Sequence, residues 1–154
     1  MPKTNRGRMD LANPVVALCA KGMEVEGTPD EALRLFEQAW AIRSNDFESA
    51  VAAHFLARHQ STDAATLHWN ALAVQHAESD PDGRSGELLA SLYLNLGDSH
   101  ARLGQAGPAR DAARRAAEHL DTLPPGGYRE FVAMGIERLT HRLETAPESG
   151  QAIE

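Results

Sequence analysis

One cysteine, three isoleucines, six valines and eight aromatic residues are all that 154 positions hold of those types. Each scarcity excludes something. Strands favour β-branched residues, and with these nearly absent a sandwich, a barrel or a parallel sheet is not expected. The single cysteine, Cys19, cannot form an intramolecular disulfide, and the cytoplasm is the compartment such a chain fits. It reads as a small apolar filler of a helix. No run approaches the roughly 18 apolar residues of a membrane span, so no membrane association is expected. Lys3, Arg6 and Arg8 precede a short apolar stretch at 15–20, which only faintly imitates a signal peptide because Asn13-Pro14 interrupts it. Acidic residues outnumber basic ones by 22 to 15, for a formal net charge of −7. A general nucleic-acid binder needs a dominant basic face instead, so nucleic acid is not an expected partner.

What is abundant is alanine, at 26 residues, and leucine, at 17. Both are strong helix formers, and the reading is all-α. The length suits one domain that buries roughly 68–70% of its extended surface. Tails are expected over 1–12 and 146–154, flanking a single helical domain over 13–145. Charge is uneven along the chain. Residues 24–48 hold seven acids and two arginines, whereas 84–115 hold five arginines and three acids. Solvated helix faces account for this. The sharper reading is complementary ends that could meet in a homodimer or steer a charged partner.

Helix starts are written clearly. Asn13-Pro14 offers a cap followed by proline at the first helical position. Thr28-Pro29-Asp30-Glu31 and Asn45-Asp46-Phe47-Glu48 read as capping boxes, and Ser61-Thr62 as a further cap. Asp80-Pro81-Asp82-Gly83, Gly107-Pro108 and Pro124-Pro125-Gly126-Gly127 mark breaks. Seven helices follow, over 14–26, 29–43, 46–59, 62–78, 85–103, 108–120 and 127–144. Short loops between them predict antiparallel hairpins.

The pattern also repeats. The segment 30–42, with Ala32, Phe36, Ala39 and Trp40, aligns with 62–74 at a spacing of 32, placing Ala64, His68 and Ala71 at the same positions. Ala109, Ala113 and Ala116 give a third copy. In the helix before it, Tyr93, Leu96-Gly97, His100 and Leu103-Gly104 follow one another, and small residues at Gly97 and Ala109 let two helices approach closely. On these residues the chain resembles the tetratricopeptide repeat family. The stretches 56–60, 67–70 and 123–128 also resemble small bacterial proteins of that kind. The resemblance implies a right-handed stack of about three helix pairs closed by a seventh helix. Tyr128, near the start of that last helix, reads as its anchor. It also implies a non-enzymatic scaffold or adaptor that binds a protein or peptide segment along a concave groove. Carried over position by position, the groove would present Lys21 and Glu24, then Ser49, Ala53 and Leu56, then Leu94, Asp98 and Arg102.

The second repeat departs from its template, with Arg58 and His68 at positions expected to be buried. A register shift could place Trp69 inside and turn His68 outward. Alternatively His54, Arg58, His59 and Asn70 line a polar pocket in which Arg58 binds a small anionic ligand, making the chain a sensor or carrier. Seven histidines invite a metal, but His54 and His59 lie five apart and His68 and His76 eight apart, not the three or four that two ligands on one helix face need. No metal, cofactor or catalytic residue is expected, since phosphate loop, nucleophile elbow and metal motif are all missing.

Overall fold

A computed structural model describes residues 10–145, and within them the chain forms seven α-helices and no strand. They are α1 (Pro14–Glu24), α2 (Pro29–Ile42), α3 (Asp46–Ala57), α4 (Asp63–Ser79), α5 (Leu89–Arg102), α6 (Ala106–His119) and α7 (Gly127–Thr145). The expected tails at 1–9 and 146–154 lie outside the described residues, while Asp10–Ala12 form a turn that leads into α1. No described helix is long and apolar enough to cross a membrane.

Local chemistry explains most boundaries. The Asn13 side chain accepts from the Val15 and Val16 amides, Asn45 from Glu48, and Thr62 from Ala65. The capping box expected at Thr28 is not formed: α2 does start at Pro29, but the Thr28 side chain makes no cap bond. Pro29 already removes one unpaired amide and fixes the helical φ, so the start does not need the hydroxyl. The fifth helix begins at Leu89, later than expected, because Arg84–Leu88 is a separate 3₁₀ turn. The sixth begins at Ala106, earlier than expected. Pro108 then lies in its first turn, where amides have no intrahelical acceptor to lose.

Consecutive helices pack as antiparallel pairs, α1 with α2, α3 with α4 and α5 with α6, and α7 closes the stack against α5 and α6. One core cluster joins α1, α2 and α3 around Phe36, and a second spans α3 to α7, with Trp40, Trp69 and Leu88 packed against both. Trp40 and Trp69 meet edge to face with centroids 5.0 Å apart, which bridges the first pair to the second.

The second helices of the first two pairs start 34 residues apart, at Pro29 and Asp63, not 32. In α2 the buried positions are Ala32, Phe36 and Ala39; in α4 they are Asn70, Ala73, Val74 and Ala77, and the template positions Ala64, His68 and Ala71 are exposed. Shifting by 34 aligns Ala32, Phe36 and Ala39 with Thr66, Asn70 and Ala73, and also superposes the helix starts Pro29 and Asp63. His68 therefore points outward, as the register-shift reading expected, but the residue in the place of Phe36 is Asn70. The same offset puts His54 in the place of Ala20, and the third pair puts Gly97 there. A Cβ on Gly97 would stand 2.8 Å from the Leu139 side chain and 3.3 Å from the Ala109 carbonyl. The turn Arg84–Leu88 lies where the second and third pairs meet and touches α3, α4 and α5.

Two residues fix the first pairs. Gly22 lies against the Phe36 ring so closely that a Cβ would collide with three ring carbons. We expect Gly22→Ala to cost roughly 1–2 kcal/mol by overpacking, and Phe36→Leu introduced with it to recover part of the loss. Urea unfolding of the three variants measures both. Glu48 is buried at the start of α3, where its carboxylate accepts from the Ser44 amide and hydroxyl and from the Asn45 and Asn13 amide groups. Burial works against the charge, but these four hydrogen bonds together outweigh it and hold the carboxyl below its ordinary value. Glu48→Ala should cost about 1–2 kcal/mol by leaving donors without acceptors. In the wild type this contribution is present at neutral pH and disappears as pH falls through the depressed value.

A two-chambered groove at the second repeat

From Glu48 to Ala57 every residue of α3 is buried except His54. That one side chain borders two cavities. The first, of about 880 Å³, lies between the end of α3, the start of α4, α5 and the start of α7. Its floor is polar: Asn70 donates to the Ser99 hydroxyl at 2.7 Å and to the Asn95 carbonyl at 3.4 Å, and Ser99 donates to that same carbonyl at 2.9 Å. Its wall on α7 holds Tyr128, Phe131 and Val132. The second cavity, of about 760 Å³, is apolar and lined by Phe47, Val51, Phe55, Leu88, Leu92 and the 123–128 segment. His54, Ser91 and Tyr128 belong to both, so the two chambers adjoin at these residues.

His54 sits at the junction with its Nδ1 3.4 Å from the Asn95 side-chain nitrogen. That nitrogen is a donor, so Nδ1 is the acceptor and Nε2 carries the ring proton. Burial pushes the His54 pKa down to about 4; the neighbouring Arg58 charge acts in the same direction and Glu26 against it. The imidazole is therefore neutral at physiological pH. The buried thiol of Cys19, in the α1 core, is likewise pushed up to about 12 and is no nucleophile.

The residues expected to form a binding face divide into three groups. The first cavity gathers His54, Arg58, Asn70, Leu94, Asp98 and Arg102. His59 stands behind it, with Nε2 2.9 Å from the Glu26 carboxylate and its ring 5.4 Å from Phe36. Lys21 and Glu24 are exposed on α1, line neither cavity and form no ion pair with each other. Ser49, Ala53 and Leu56 form no binding face: all three are buried against the neighbouring helices and line neither cavity, and α3 meets the groove instead through Phe47, Val51, His54, Phe55 and Ala57.

Arg58 is not a free anion donor. Its guanidinium grips Glu26 at 3.0–3.2 Å through both Nε and Nη2. Arg102 holds Asp98 at 3.0 Å, with Asp63 4.0 Å away, and Arg142 reaches the same Asp98. On α6, Arg114 and Arg115 are paired with Asp111, and Arg114 also with Glu118. Tyr128 does not anchor α7; it is half-exposed, and Val132, Ile136, Leu139 and Leu143 hold the helix. Among the described residues no three His, Cys, Asp or Glu side chains come together as metal ligands.

Sequence reasoning missed Glu26, Asn95, Ser99 and Phe131. Glu26 contacts residues 32 and 33 positions away, which no local pattern reveals. Asn95 and Ser99 did leave a signal, two polar residues four apart and so on one face of the helix. Comparison with known proteins found no match to a family model, a curated protein or a solved structure.

Proposed function

We propose that this protein is a non-enzymatic peptide-binding module of the tetratricopeptide kind, an adaptor that holds an extended segment of a partner protein in the groove between its second and third helix pairs. The observation that carries the reading is the pair of adjoining chambers, one polar and one apolar. The polar chamber offers amide and hydroxyl groups to a peptide backbone, and the apolar chamber has room for one or two side chains. Concave sites with an apolar lining and a few fixed polar groups are where proteins bind ligands. The 34 residues between the helix starts Pro29 and Asp63 support the repeat type. The alternative, a small anion held by Arg58, has less support because Glu26 already occupies that guanidinium.

Plugging the junction tests the proposal. Ser91 is half-buried and lines both chambers, so Ser91→Trp should intrude on the space where they adjoin while His68→Trp, on the exposed face of α4, should not. With peptides selected for binding to the wild type, calorimetry is expected to show heat with wild type and His68→Trp and none with Ser91→Trp, at equal helix content. Retained binding by Ser91→Trp refutes the groove as the site.

A further inference from the structure

The chain covers most of its own aromatic rings. Arg43 lies 3.5 Å over Trp40 and Arg84 4.6 Å over Phe47, while Arg115 and Arg58 stand 5.9 Å from Tyr93 and 6.0 Å from Phe55. Phe36 stacks on Phe55, and Trp69 meets Trp40. Among the described residues two rings have neither a cation nor another ring against them, Tyr128 and Phe131. They are 55% and 72% exposed, and both stand on the wall of the groove.

Charge in the groove leans the same way. Five carboxylates and three arginines line the two chambers. Two of the arginines are held by acids, and the third, Arg84, lies on Phe47. Asp10 and Glu87 line the apolar chamber, to which Tyr128 also belongs, and form no ion pair with any described residue. A bare ring face attracts a cation through its quadrupole, and unpaired carboxylates attract one by charge. An acidic segment would meet like charge in both chambers.

We infer that the segment bound in this groove is cationic: a lysine or arginine side chain lies over Tyr128 and Phe131, near the unpaired carboxylates, and an adjacent apolar side chain enters the second chamber. This rests on the peptide-binding reading above and names the chemistry of the partner. Its opposite would be a ligand selected for negative charge.

Random peptides displayed on phage and panned against the immobilised full chain test it. The enriched clones are expected to carry Lys or Arg within a few residues of an aliphatic or aromatic side chain. A synthetic copy of the leading clone should bind more weakly as salt rises. Tyr128→Ser combined with Phe131→Ser should weaken it roughly fivefold or more, and Asp10→Asn combined with Glu87→Gln should weaken it about threefold or more. All four side chains are outside the cores, and thermal melting checks that the variants stay folded. Clones enriched in Asp or Glu overturn the cationic inference while leaving a peptide groove, as do clones whose binding neither double variant changes but Ser91→Trp abolishes. Clones that bind Ser91→Trp undiminished, or no enrichment at all, overturn the groove reading and this inference with it.

Discussion

Phe36→Ala is expected to lower stability by roughly 3–5 kcal/mol, the range for truncating a large buried aromatic. The ring has no exposure at all, stacks on Phe55 with centroids 5.2 Å apart, and fills the space that Gly22 leaves in α1. It thus joins three helices at one point, and α1 has few other buried side chains: Val15, Val16 and Cys19. Domains of this size are stable by roughly 5–15 kcal/mol, so the variant should sit close to its unfolding threshold. Equilibrium urea unfolding followed by circular dichroism measures the loss. Phe47→Ala serves as the comparison, since Phe47 is half-buried at the edge of the groove. A loss below about 1 kcal/mol for Phe36→Ala would mean that the first helix pair is not held as described.

The second large effect is one of pH. His54 is expected to weaken the fold as pH falls from about 6.5 toward about 4. Across that window the unfolded chain binds a proton at this imidazole and the folded chain does not, so each added proton favours unfolding. One pH unit corresponds to about 1.4 kcal/mol, and the whole window to something on the order of 3 kcal/mol. The groups facing His54 are Arg58, which opposes its protonation, Glu26, which favours it, and Asn95, which donates to Nδ1 and so blocks that nitrogen. His54→Gln keeps an acceptor for Asn95 and removes the titration. Its stability should fall less than that of the wild type between neutral pH and pH about 4.5. Parallel pH profiles would show that His54 is solvated rather than buried. Carboxylates with depressed values, Glu48 and Asp80, contribute their own loss in both proteins and cancel in the comparison.

Much of the fold was legible in the sequence, and particular residues show why. Asn13, Asn45 and Thr62 cap their helices because a short polar side chain before a helix has few better partners than the first amides. Scarcity of β-branched residues excluded strands correctly. The register of the second repeat was misread by two positions, because alanine suits a close contact and an exposed helix face equally well. Ala64 and Ala71 matched the template by chemistry and are exposed; Asn70 did not match and is buried. The candidate site was legible in part. His54, Arg58, Asn70, Asp98 and Arg102 line one cavity, but Ser49 and Leu56 face the neighbouring helices rather than the groove. Which side of a central helix stays open depends on neighbours far away in sequence. The same holds for the grip of Glu26 on Arg58, which turns an expected anion donor into a neutral clasp.

The central claim is that the groove between the second and third helix pairs is the binding surface. Titrating the ¹⁵N-labelled chain with a peptide selected against it, and following backbone amide shifts, tests this most directly. The account predicts the largest changes at His54, Ser91, Asn95, Tyr128 and Phe131, with the face around Ile42 and His68 unmoved. Shifts that cluster around Ile42 and His68, with the groove silent, would contradict it.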